Sequence, residues 1–194
     1  MEHAPAVGKG ERPFRHFRFP ERCGDRIATT DIVSTGSGHR NMFFIGFTSE
    51  PLEYPFDDTS IPAAPGRLEL GKSTEDFLAN LSLWRKPDYE SHWTHELRSL
   101  LEGKSKIALV VSYNDPRASS NMEIWRAYRD GECAHFQNQL LSYSDLPRGF
   151  EILNVSQHIK ERQVENSEGN RVSEWNVAIK DIELFLQTLH PSFS

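Results

Sequence analysis

A chain of 194 residues carrying 12 Phe, 5 Tyr and 4 Trp can bury one sizeable core. Its net charge of −6 and mean hydropathy of −0.58 mark a soluble protein, and no apolar run approaches the roughly 20 residues of a membrane span. Residues 1–41 hold seven Lys/Arg against five Asp/Glu, which leaves fifteen basic and twenty-three acidic groups in the remainder, a net −8. An acidic body argues against nucleic acid as a partner and suits a basic protein, whose approach it would steer.

Residues 1–41 carry scattered Gly, Pro, Ser and Arg without periodicity, and read as an N-terminal extension or flexible tail with no secretory layout. Met42 opens the first strand-like run, 42–48, so residues 42–194 are expected to form a single domain. Residues 50–66 are rich in proline and read as a loop. A short strand at Leu68 and Leu70 follows, and then a helix near 75–85, capped by Ser73 or Thr74, with Phe77, Leu78, Leu81 and Trp84 at helical spacing. Pro87, Asp88 and Glu90 suit the first turn of a second helix over 87–102, which Gly103 ends.

KIALVVSY at 106–113 is apolar and β-branched enough for a central strand. The stretch 122–141 reads as a hairpin turning at Asp130-Gly131, with Trp125 facing Phe136 and Tyr128 facing Cys133. A second hairpin is expected over 161–179, returning with Trp175, Val177 and Ile179 on one face. A last helix runs from about Asp181 to His190, with Ile182, Phe185, Leu186 and Leu189 as its buried stripe. The class is α+β: a mainly antiparallel sheet with two adjacent helices before it and a C-terminal helix after it.

Two constellations could carry chemistry. His92, His95 and Glu96 cluster on one helix, but the order differs from the His-Glu-x-x-His of zinc proteases and no third ligand stands at a telling distance. They read as histidines on the surface of a packing helix. Cys133 and His135 share a strand face, which permits a thiolate–imidazole pair, yet nothing around them resembles a catalytic cysteine site. Cys23 and Cys133 form neither a metal spacing nor a disulfide framework, so a reduced, cytoplasmic setting is expected. No catalytic residue, metal or cofactor is expected, and stoichiometric binding is the function that such a chain suits.

The order of motifs adds to this. Leu81-Ser82-Leu83-Trp84, Tyr89, His92-Trp93 and Leu97-x-x-Leu100-Leu101-x-Gly103-Lys104 precede Tyr113-x-Asp115-Pro116. Trp125-x-x-Tyr128-Arg129-x-Gly131, Gln137-Asn138-x-Leu140-Leu141, Ser173-Glu174-Trp175 and Asp181-Ile182-x-x-Phe185-Leu186 follow. This succession resembles the immunity proteins of bacterial contact-dependent growth-inhibition systems, the CdiI-type proteins, over residues 67–189. The resemblance implies an intracellular protein that binds and neutralises the C-terminal toxin domain delivered by a neighbouring cell, often a basic nuclease. Asp57, Asp58, Asp88 and Glu90 are the acidic positions expected at such an interface. A metal- or cysteine-dependent enzyme and a general interaction module without a toxin partner remain the alternatives.

Overall fold

In the computed structural model, residues 42–56 and 59–189 are described; the expected N-terminal extension, Asp57 and Asp58 lie outside them. The first sheet is built on one long strand, β3 (Thr59–Gly71). Along one edge of β3 lie β1 (Met42–Phe47) and then β2 (Leu52–Phe56), and β4 (Ser73–Asn80) pairs with the other edge, all antiparallel. The second sheet has the order β5 (Lys106–Ser112), β6 (Asn121–Asp130), β7 (Cys133–Ser142) and β8 (Trp175–Ala178), again antiparallel throughout. Helix α1 (Lys86–Leu101) packs on β5, and α2 (Ile179–Leu189) packs on β1 and β8. No helix among the described residues is long and apolar enough to cross a membrane.

The coarse reading of the sequence, mainly antiparallel sheet with a few helices, matches this architecture; the helix arrangement does not. Residues 73–80 form strand β4, where a helix near 75–85 was expected. Leu70 pairs with Ser73 across a two-residue turn whose Gly71 sits at φ 66°, and this tight turn offers the next residues a full-length partner in β3. Phe77 and Ala79 then face the core while Thr74 and Asp76 face solvent, so the period is two. The proline-rich "loop" is corrected as well. It forms a two-stranded arm, β2 with the first part of β3, in which Leu52 faces Ala63 and Tyr54 faces Ile61. The prolines sit where the ladder has no need of their N–H. The Pro62 carbonyl accepts from Leu81 N–H just past the end of β4, and Pro65 lies where β1 gives way to β2, accepting from Thr48 N–H.

The β6–β7 hairpin forms with a shifted register. Gly131, at φ 57°, takes the first central position of the turn, with Glu132 second. Asp130 therefore faces Cys133, Trp125 faces Asn138, and Ala127 faces Phe136. The expected second hairpin is reduced to a single bridge, Glu165 with Arg171, around the turn at 166–170. β8 pairs with β7 instead, and Ile179 begins α2.

The core lies between the sheets and the helices. Phe43 meets Phe136 of the second sheet and Phe185 of α2, with ring centroids 5.5 Å and 5.4 Å apart. Phe47, Phe77 and Tyr89 crowd around Trp93. Trp93 is buried and Trp84 partly so, the latter packed against Tyr89 and Tyr113.

Candidate partner-binding site

Helix α1 takes Pro87 in its first turn for the usual reason, since proline needs no N–H donor there, and the Asp88 carboxylate accepts the Arg85 N–H at 2.8 Å. Its buried stripe runs through Tyr89, His92, Trp93, Glu96, Leu97 and Leu100. The polar members of that stripe have a specific task. Strand β5 is at the edge of its sheet, so the outward backbone groups of Ala108 and Val110 have no neighbouring strand. His92 Nε2 lies 3.1 Å from the Ala108 carbonyl and 3.2 Å from Val110 N, Trp93 Nε1 donates to the Val110 carbonyl at 2.7 Å, and Ser156 Oγ accepts from Ala108 N at 2.8 Å. Ser156 in turn donates to Glu96 at 2.7 Å, and Lys104 reaches the same carboxylate oxygen at 3.2 Å. Side chains thus close an edge that would otherwise invite another strand.

This corrects the reading of His92 as a surface residue. It is 4% exposed, and burial pushes its pKa down to about 4 against the opposing pull of Glu96, so the neutral ring is the folded form. His95 is exposed, as expected. Among the described residues no three His, Cys, Asp or Glu side chains are arranged to hold a metal ion.

The second constellation is also rearranged. Cys133 opens β7, opposite Asp130 of β6 and Ala178 of β8. His135 belongs instead to a buried polar layer on β6, β7 and β8. Its Nδ1 meets Asn176 Oδ1 at 2.7 Å, and Glu174 and Asp130 stand 3.4 and 3.5 Å away. Gln137 bridges Arg126 and Glu174. Burial alone would raise the Glu174 pKa, but hydrogen bonds from Arg162 and Gln137 outweigh it and hold the carboxyl below its usual range. This network links the 159–174 segment to the sheet: Gln137 also donates to the Gln163 carbonyl, and Tyr128 to that of Lys160.

Of the acidic positions expected at an interface, Asp88 is committed to the α1 cap and Glu90 is exposed one turn into the helix. Near the arm a site appears that the sequence reading missed. Where the β2–β3 arm meets the end of β5, a cleft of about 190 Å³ opens between Tyr54, Ile61, Ala63 and Leu78 on one side and Ser112 and Asn114 on the other, with Asn80 between them. Asn80 holds the two sides together, donating to Asn114 Oδ1 and taking its own N–H to Ser112 Oγ. Tyr54 and Leu52, on the same face of β2, are 43% and 41% exposed. The cleft draws on three distant segments, and only the alternation of Leu52, Tyr54 and Phe56 could have signalled that the arm was a strand.

The fold thus combines two antiparallel sheets, the β5 edge closed by side chains, and an open cleft beside the arm. The comparisons with known proteins narrow the class. The model of the CdiI N-terminal domain family matches residues 79–185, more than half of the chain, and the chain belongs to that family. It is 25% identical over 126 residues to the immunity protein CdiI of Enterobacter cloacae subsp. cloacae, covering 65% of this chain and 86% of that protein. Its fold is shared with a chain of the solved CdiA-CT/CdiI toxin and immunity complex from Enterobacter cloacae, at a TM-score of 0.68 and 24% identity, covering 78% of this chain and all of that one.

Proposed function

We propose that this chain is an immunity protein that binds the C-terminal toxin domain of a contact-dependent growth-inhibition system and neutralises it by forming a stoichiometric complex. Membership of the CdiI N-terminal domain family carries this reading. The similarity to a protein known as an immunity protein supports it, as does a fold shared with a chain of a toxin–immunity complex. The protein acts inside the cell, on a toxin that has already entered, and its role needs no catalytic turnover. The net −8 beyond residue 41 favours a basic toxin, of the kind that acts on nucleic acid.

The interface uses acidic side chains. Asp57, Asp58 and Glu90 serve association, while Asp88 is held by the helix cap and contributes mainly to stability. Residues 42–194 act as one domain in this role, with 1–41 an extension to it. Co-expression with the toxin domain encoded by the neighbouring gene tests the function. Growth should be protected only when this chain at least matches the toxin in amount, and the two should co-purify. Full protection at a small fraction of the toxin level would point to an enzyme, and no protection at any level would remove the toxin from the picture.

A further inference from the structure

We propose that the distal part of strand β7 is a homodimer interface, where two copies of this chain pair edge to edge and antiparallel about a twofold axis at Leu140; this does not depend on the immunity reading above. β7 pairs with β6 along its whole length, but β8 covers only Cys133–Phe136. Residues 137–142 therefore form an edge of the second sheet. The direction of their backbone groups follows from the flanking hydrogen bonds. Tyr143 N–H donates to the Ser120 carbonyl at 3.0 Å and Ile179 N–H to that of Glu132 at 2.9 Å, each continuing the register of its strand pair. Bonded and non-bonded pairs alternate in an antiparallel ladder. Asn138, Leu140 and Ser142 thus turn their N–H and C=O groups away from β6, as Ala134 and Phe136 turn theirs to β8. Those outward groups of 138, 140 and 142 have no partner among the described residues.

Apart from its shortness, this stretch lacks the usual protections of an edge. It reads Gln137-Asn138-Gln139-Leu140-Leu141-Ser142, with no proline, no charge and no bulge in its pairing with β6. By contrast, β5 at the other end of the sheet is closed by His92, Trp93 and Ser156, and β2 carries Pro55. Leu140 stands 63% exposed on the open stretch. A second copy fits because the edge is self-complementary. With Leu140 on the twofold axis, Leu140 faces its own counterpart and Asn138 faces Ser142. Each outward residue then meets an outward residue, and every free N–H finds a carbonyl. The two Leu140 side chains lie on one face of the joined sheet and cover each other. The register also ends where the fold requires. The next outward residue before Asn138 is Phe136, already paired with Trp175, and after Ser142 the chain leaves the strand for the turn Tyr143–Asp145. So short a pairing is small beside the roughly 1,200–2,000 Å² buried in stable complexes, and the dimer is accordingly a weak one that forms at high concentration.

The test is sedimentation of the full chain from about 1 μM to about 1 mM, with disulfide capture on non-reducing gels in parallel. The parent mass should rise from monomer toward dimer across that range. Added salt should favour the dimer, because each copy carries a net charge of −6. Leu140→Lys sets two like charges against each other on the axis and should stay monomeric throughout. Its melting midpoint at low concentration should match the parent's, as expected of an exposed position. Leu140→Cys should give a covalent dimer on mild oxidation, since the two Cα atoms lie about 5.5 Å apart in this register. Asn138→Cys, whose counterpart stands opposite Ser142, should not. A parent that is monomeric at every concentration overturns the second copy as occupant; if Leu140→Lys then weakens binding of the neighbouring gene's toxin domain, the edge belongs to the toxin. A dimer that survives Leu140→Lys overturns this interface, and equal capture at both cysteines overturns the register.

Discussion

Replacing His92 by Ala should destabilise the protein strongly at neutral pH and hardly at all near pH 4. The ring is 4% exposed, and its Nε2 lies against both the Ala108 carbonyl and Val110 N–H at the edge of β5, serving one of them in either tautomer. Removing it leaves a buried backbone group without a partner and a cavity beside Trp84, at a combined cost of about 2–4 kcal/mol at pH 7. The pH dependence follows from the same burial. The unfolded chain takes up a proton near 6.5, whereas the folded ring resists protonation down to about 4. Between those values the unfolded state binds more protons, so the parent protein loses stability as pH falls, at about 1.4 kcal/mol per pH unit. Across the window this amounts to about 3 kcal/mol, or about 6–12 °C in melting midpoint for a chain of this size. The Ala variant has no such group, so the gap between parent and variant should close as pH falls. Urea unfolding of both proteins from pH 7.5 to 4.5 measures it, with His95→Ala as the exposed control. A gap that stays constant with pH would refute the assignment of His92 as a buried neutral ring.

Further outcomes follow from individual contacts. Tyr89→Phe should cost about 2 kcal/mol, because its hydroxyl donates to the Asn80 carbonyl at 2.7 Å and accepts from Tyr113 N at 2.9 Å, joining the ends of β4 and β5; denaturant midpoints read the loss. Trp93→Ala should cost about 3–5 kcal/mol as a large-to-small change in the aromatic core, seen in the same assay. Arg129→Met should cost about 1–3 kcal/mol, since the guanidinium caps the last carbonyls of α1 at Leu100 and Leu101, 2.7 and 2.8 Å away. Joint replacement of Asp57 and Asp58 by Asn should slow association with the toxin domain and flatten its salt dependence, without moving the melting midpoint.

Some of this was legible in the sequence because local chemistry decided it. Pro87, Asp88 and Gly103 bracket α1 almost to the residue, and Gly131 marks the β6–β7 turn. Where two periods fit the same residues, the tertiary partner decided. Phe77, Leu78, Leu81 and Trp84 stand at helical spacing, yet the long β3 captured 73–80 as a strand. The arm was hidden by its prolines, whose missing N–H groups matter only once the neighbouring strands are known. His92 was the most instructive case. It falls between Tyr89 and Glu96 on the buried stripe, so its position was visible, but the reason to bury it, an unpaired edge on β5, was not. The cleft could not be read at all, since Tyr54, Leu78 and Ser112 meet only in the folded chain.

The most direct test is a calorimetric titration of the neighbouring gene's toxin domain into this chain. The heat of binding should saturate at a fixed molar ratio, as expected of an inhibitor that works by occupying its target. Absence of any saturable heat between two folded proteins would contradict the toxin-binding function.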